Sequence, residues 1–378
     1  MSGSVTLLAV GDIAPRRVDL GAMFDLCRDT LAKADLVFGQ LEAPLSDRGS
    51  PAPQARLAMR CPPATAAALA EAGVDVVSFA GNHCLDWGPD SLGDTLRHVA
   101  EAGVALCGAG RNETEARAPA VLIANDVSVA FLAYSAILPQ AYEATDRRGG
   151  CAPLRVHTLY EPVEHDQPGT PGRVHTFCAR EDLEALRLDV AKAKESADRV
   201  IVSIHWGIHF VPHQIADYQR HAAHAAIEAG ADAILGHHPH ILKGIEIYRG
   251  RPIVYSLGNF AIEQPQAFAD NLFETRGFQE IAALNPQFDT RRAYIAPPDT
   301  QKSMIASLSF GLSGPVRAAF QPVMIGDDAR PEPLAGNDPR FDAVAGYVRA
   351  AGRSQGLASR FERDGDLMLV YADEGAPS

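Results

Sequence analysis

The sequence predicts an α/β fold with parallel strands and two layers of sheet between helices, and three observations lead there. Short apolar runs alternate with helical patterns over the first two thirds of the chain, the signature of βα units. Two closely spaced pairs of apolar runs read instead as β-hairpins, which implies a second sheet or antiparallel edges packed on the parallel strands. Residues able to bind metal collect at the C-terminal ends of the strand candidates, where open α/β sheets bind their ligands.

Along the chain, strands are expected at 5–10, 35–41, 74–80, 104–107, 200–205 and 231–235, and helices at 18–33, 63–72, 89–102, 181–197 and 214–229. The hairpins are 121–123 with 127–134, around Asn125-Asp126, and 245–248 with 252–256, around Arg249-Gly250. Residues 140–177 are rich in Gly, Pro and charge, lack periodicity, and read as a long functional or disordered loop. Residues 263–301 are a similar insertion, whose spread aromatics (Phe268, Phe273, Phe278, Phe288 and Tyr294) fit a local subcore better than a ligand pocket. Further strands follow at 304–310, 316–324 and 367–371, with a helix at 341–352.

The chain has 378 residues, 47% of them hydrophobic and 21% charged, enough for a substantial core. Its net charge of -13 argues against a nucleic-acid or anionic-membrane binder. It leaves room for a local pocket that takes a small anionic substrate. The six cysteines are scattered and form no Cys-x-x-Cys pair, so buried free thiols in a reducing compartment are expected. No run has the length of a membrane span, and no signal segment is visible, so a cytoplasmic protein is the expectation.

The chemistry gathers at the strand ends. Residues 5–10 lead to Asp12, 35–41 to Glu42, 74–80 to Gly81-Asn82-His83, 200–204 to His205-Trp206-Gly207, and 231–235 to Gly236-His-His-Pro-His240. Taken singly, Asp12 suits a helix cap, Glu42 a surface ion pair and Asn82 a turn. Five such residues at five strand ends make accident a poor explanation. Carboxylates, an amide oxygen and imidazoles with no thiolate suit manganese, iron or zinc. A carboxylate between two groups of ligands can bridge a pair of ions.

These stretches, together with Leu36-Val-Phe-Gly-Gln-Leu-Glu42, Gly81-Asn-His-Cys-Leu-Asp-Trp-Gly88 and Tyr255-Ser-Leu-Gly-Asn-Phe260, resemble the CapA/PgsA poly-γ-glutamate capsule biosynthesis family, a branch of the calcineurin-like metallophosphoesterase superfamily. The resemblance runs from the first strand to about residue 260 and implies a four-layer α-β-β-α sandwich. It implies one domain over 1–378, with 140–177 and 263–301 as insertion loops and 304–378 completing the fold. It also implies two divalent transition-metal ions: Asp12 and His240 on the first, Asn82, His205 and His238 on the second, and Glu42 bridging or serving one of them. His237 is an alternative ligand to His238. His83 is implied as general acid or transition-state stabiliser, oriented by Asp86, and Arg17 as a contact to an anionic group of the substrate.

The chain departs from the pattern in four places. Ala14 stands where the wider superfamily has a histidine ligand, so one tight and one weak ion is an alternative to a fully occupied pair. Glu42 replaces Asp as in the nearer relatives, Gln40 replaces Asn, and His209 stands where relatives carry Glu, as a possible extra ligand or proton donor. The function implied is a metal-dependent hydrolase in which a metal-bound hydroxide attacks a phosphoester or, less readily, a γ-glutamyl-type amide. The rival reading is a non-hydrolytic accessory or binding protein for poly-γ-glutamate or γ-glutamyl peptide assembly.

Overall fold

Strand Val127–Ser135 sends alternate side chains to opposite sides, and each side meets its own hydrophobic core. Val129, Phe131 and Ala133 enter one core, and Ala130, Leu132 and Tyr134 the other. Strand Arg199–His205 divides Ile201 from Val200, Val202 and Ile204 in the same way, and Ala233–His237 divides Ala233 and Leu235 from Ile234. Continuous Val/Ile/Leu runs are what a parallel sheet covered on both faces requires. These three strands are parallel neighbours at the centre of a six-stranded sheet. Its flanks are Ala120–Ala124 on one side and Arg251–Val254 with Ile245–Tyr248 on the other, each closing an antiparallel hairpin.

The computed structural model describes residues 3–264 and 272–373. Its larger sheet has ten strands, with Val5–Ala14 near the middle. Leu36–Leu41, Val76–Ser78 and Ala105–Cys107 continue from it in parallel. On its other side Lys302–Phe310, Arg317–Ile325, Leu367–Ala372 and Ser359–Asp364 follow in antiparallel order. Asn259–Ile262 pairs in parallel with the end of Val5–Ala14. The two sheets face each other, with the Phe38 ring stacked on Phe131 at 5.8 Å. Helices Thr65–Glu71 and Pro89–Glu101 contribute Leu69 and Val99 to the core of the larger sheet. Arg180–Ser196 and Asp217–Ala229 pack Leu186, Val190, Ala222 and Ala226 against the outer face of the smaller one. The order of layers is therefore α-β-β-α, as the sequence and the resemblance predict.

Three expectations need correction. The helix expected at 18–33 is two short pieces, a 3-10 turn Gly21–Phe24 and a helix Arg28–Leu31, because Asp19 turns the chain by accepting from Ala22 N–H at 3.3 Å and Val18 is left exposed. The 140–177 loop contains a hairpin, Val156–Pro162 with Gly172–Cys178, paired in unbroken register from Val156↔Cys178 to Gly172↔Pro162. Its strands are exposed nearly throughout, so no in-and-out alternation marks them in the sequence. The 263–301 insertion carries a helix, Arg276–Leu284, whose start is capped by the Thr275 hydroxyl accepting from Phe278 N–H. Phe273, Phe278 and Phe288 form the expected small cluster, whereas Phe268 lies outside the described residues. All six cysteines are buried and unpaired. Among the described residues no helix is long and apolar enough to cross a membrane.

Candidate metal centre

The strand ends of both sheets converge on one rim. Asp12 is re-aimed by an irregularity in its strand: Ala9 pairs with Phe38 and Asp12 with Gln40, so the first strand carries an extra residue between them. Gly11 is obligatory at that point, since a Cβ there would sit 2.0 Å from the carbonyl oxygen of Gly258. The Gly258 carbonyl in turn accepts from Asp12 N–H at 3.1 Å. Glu42 leaves the next strand with its N–H bonded to Ile13 O. The period of two that sends Ile201 and Leu235 into the core between the sheets also turns His205 and His237 inward. Gly236 is fixed by close packing, because a Cβ there would meet Tyr255 O at 2.2 Å and Trp206 Nε1 at 2.5 Å.

Asp12, Glu42 and His240 form a buried group whose ligand atoms all lie within 4.8 Å of one another. The His240 ring has Nδ1 2.9 Å from Asp12 Oδ2 and Nε2 3.7 Å from Glu42 Oε1. His240 Nδ1 also lies 2.8 Å from Asn259 Oδ1, a partner that sequence reasoning did not assign although Asn259 stands inside a quoted motif. His237 places Nδ1 3.3 Å from Asp12 Oδ1, with its ring against Phe38. His205 lies with Nδ1 3.8 Å from Glu42 Oε2 and Nε2 2.7 Å from Asn82 Oδ1. The His238 ring is 4.8 Å from His205 and stacks on His209 at 4.3 Å. His238 and His240 hold φ at 94° and 56°. A non-glycine residue held there costs about 1–3 kcal/mol, strain that clusters at functional sites.

Both oxygens of Asp12 and both of Glu42 are buried without a hydrogen bond of acceptable geometry, and so are His205 Nδ1, His238 Nδ1 and both nitrogens of His237. Burial alone would raise the Asp12 carboxyl, but the adjoining His237 and His240 rings outweigh it and hold Asp12 well below the usual carboxylate range. Burial, and then the charges of Asp12 and Asp86, push Glu42 well above it. Burial drives His205, His209 and His238 well below the ordinary imidazole value, which leaves neutral rings with free lone pairs. Unsatisfied buried carboxylates are costly, and a divalent cation among them removes the cost. The donor set is oxygen and nitrogen, and it fits such an ion.

Beside this group His83 Nδ1 lies 2.6 Å from Asp86 Oδ2. Asp86 is itself fixed by Met59 N–H at 2.8 Å and by the Tyr142 hydroxyl, which donates to Oδ1 at 2.9 Å. His83 Nε2 is left 4.0 Å from Glu42 Oε1. Tyr142 carries no signal in the sequence, standing in a loop with no motif. Arg17 is not brought to the centre: it donates to Glu263 Oε1 at 2.6 and 2.9 Å, and to Asp328 O. Above the centre opens a cavity of about 460 Å³, floored by Asn82, His83, His238 and His240 and walled by residues that include Phe278 and Phe288. Two insertion aromatics thus serve both subcore and cavity wall, whereas no residue of the 156–178 hairpin lines the cavity.

Comparison with known proteins gives related chains. The protein y4sH of Sinorhizobium fredii (strain NBRC 101917 / NGR234), itself uncharacterized, is 29% identical over 348 residues, covering 78% of this chain and 73% of that protein. The PGA biosynthesis protein CapA of Bacillus subtilis (strain 168) is 31% identical over 197 residues, which is 52% of this chain and 44% of CapA, so the chain matches less than half of CapA's length. Among solved structures, the calcineurin-like phosphoesterase YfkN of Bacillus subtilis aligns with 94% of this chain and 98% of its own at 14% identity, with a TM-score of 0.39. The family model described as bacterial capsule synthesis protein PGA_cap matches residues 6–264. That match covers more than half of the chain and takes in every strand end of the centre, and the chain belongs to this capsule synthesis family.

Proposed function

We propose that the protein is a metal-dependent hydrolase of a small anionic phosphoester. The observation that carries this reading is the set of four buried oxygens on Asp12 and Glu42, at the ends of the larger sheet, which lack a hydrogen bond of acceptable geometry and face the imidazole nitrogens of His205, His237 and His240 from the smaller sheet. Asp12 and His240 would hold one divalent ion, Asn82, His205 and His238 a second, with Glu42 between them and His237 supporting Asp12. Manganese, iron and zinc all suit these donors. When bound, such ions polarise a phosphoryl oxygen and lower the pKa of water.

The chain's own catalytic group is His83. Asp86 fixes the ring through Nδ1, which leaves Nε2, 4.0 Å from Glu42 Oε1, as the atom that hands its proton to the leaving oxygen. In balance, a P–O bond from water forms and the ester P–O bond breaks; His83 gives its proton to the released alcohol and takes back the proton that the water loses. His209, stacked on His238, keeps that ring in place.

The names of the Bacillus relatives, and of a Mycobacterium tuberculosis relative called a probable polyglutamine synthesis accessory protein, favour a second reading, a non-hydrolytic role in polymer assembly. One experiment separates the two. Metal-loaded protein is assayed against phosphoesters and γ-glutamyl peptides, alongside Asp12→Ala and His205→Ala. Phosphoester turnover that is lost with the metal in both variants supports the hydrolase. Silence on every ester with measurable peptide binding supports the accessory role, and full activity in a metal-free His205→Ala variant ends the metal reading.

A further inference from the structure

From the walls of the cavity we infer that the substrate carries an apolar group, aryl or medium-length alkyl, beside its anionic group, and that it is not an acidic polymer. The inference rests on the phosphoester reading for the floor and adds the class of the group bound above it. The volume of about 460 Å³ is that of a small-molecule pocket. Its floor is polar, but the walls above are mainly apolar: Leu57, Leu138, Phe210, Phe278, Ile281 and Phe288, with Gln54, Arg56, Glu263 and Gln264 among them.

The aromatic members form a continuous, pre-set surface that starts at a candidate ligand. The Phe210 ring lies 5.6 Å from His240, Phe288 meets Phe210 edge-on at 5.5 Å, and Phe278 meets Phe288 edge-on at 5.7 Å. An apolar group that extends from the floor would follow this chain of rings without reordering it.

Charge on the walls is sparse, and each charged group already has a partner of opposite sign. Arg56 pairs with Glu280 at 3.0 Å, and Glu263 pairs with Arg17 at 2.6 Å. A run of carboxylates such as a γ-glutamyl chain would meet mainly apolar rings there, with Arg56 the one cation among the described lining residues, and would lose more hydration than it regains in partners. An alkyl or aryl group gains by burial instead. Each methylene sheltered from water strengthens binding by about fourfold.

The test uses the full chain with Mn(II) present and the fluorophore N-phenyl-1-naphthylamine as the apolar probe. Competition is measured with n-alkyl phosphates of increasing chain length and with γ-glutamyl oligomers, in the wild type, Phe288→Ser and Ile281→Gln. Apparent affinity is expected to rise about threefold to fourfold per added methylene until the cavity is full. The slope should flatten in either variant, and γ-glutamyl oligomers should not compete. Failure of the wild type to take up the probe, a slope independent of chain length, or tighter binding of the oligomers than of the alkyl phosphates overturns the inference. Unchanged slopes in both variants overturn it as well. Turnover is read separately on p-nitrophenyl alkyl phosphodiesters. A steep binding slope without turnover sinks the phosphoesterase reading and leaves the apolar subsite standing; turnover indifferent to chain length does the reverse.

Discussion

His83 is the residue whose role can be isolated from metal binding, because its hydrogen bond is to Asp86 and it stands outside the buried Asp12–Glu42–His240 group, with Nε2 4.0 Å from Glu42 Oε1. Protonation of a leaving oxygen matters only when the leaving group is a poor one. His83→Asn is therefore expected to lower kcat by about 10²–10⁴-fold on alkyl esters, with a much smaller loss on p-nitrophenyl esters, at unchanged metal content. Equal losses on both ester types, read by steady-state kinetics beside elemental analysis, would assign His83 a structural role instead. At this scale the sequence was unusually legible. Asp12, Glu42, Asn82, His205 and the histidines of 236–240 stand at strand ends, and the fold carries strand ends to one place. What it did not disclose has a physical cause. His237 and His238 are adjacent, and strand alternation would send only one of them inward. The positive φ of His238 departs from strand geometry and brings its ring back beside His205. Asn259 and Tyr142 act through long-range contacts, to His240 and Asp86, which no local pattern encodes.

Elements with a buried face were readable, and elements without one were not. The central strands of both sheets announce themselves as Val/Ile/Leu runs because both of their faces are covered. The hairpin Val156–Pro162 with Gly172–Cys178 buries almost nothing, and its exposed Leu159, Tyr160 and Val174 look like scattered surface residues. Its distance from the cavity gives an element-level prediction. Replacing residues 161–173 with a two-residue turn should leave metal content and turnover unchanged and alter unfolding free energy by no more than about 0.5 kcal/mol. Denaturant melts and kinetics of the shortened protein check this, and a large loss of turnover would mean that the hairpin reaches the substrate. The 263–301 insertion behaves differently. Its aromatics look like filler in sequence because their spacing fits neither helix nor strand, yet Phe278 and Phe288 face the cavity on one side and each other on the other.

Across the whole molecule the centre exists because two sheets meet. Asp12, Glu42, Asn82 and His83 come from the ends of the larger sheet, and His205 and the 236–240 histidines from the smaller. The Phe38–Phe131 stack holds the layers together beneath them, with His237 resting on Phe38. A cation bound at this seam joins the two halves, so it stabilises the folded chain by mass action. Calorimetric titration of Mn(II) and Zn(II) into the metal-stripped full chain, with Asp12→Ala in parallel and circular dichroism to verify folding, tests the central claim most directly. Saturable binding by the wild type, at one to two ions per chain and lost in a folded Asp12→Ala variant, is the predicted result. A wild type that binds neither ion, or an Asp12→Ala variant that binds as well as the wild type, would contradict it.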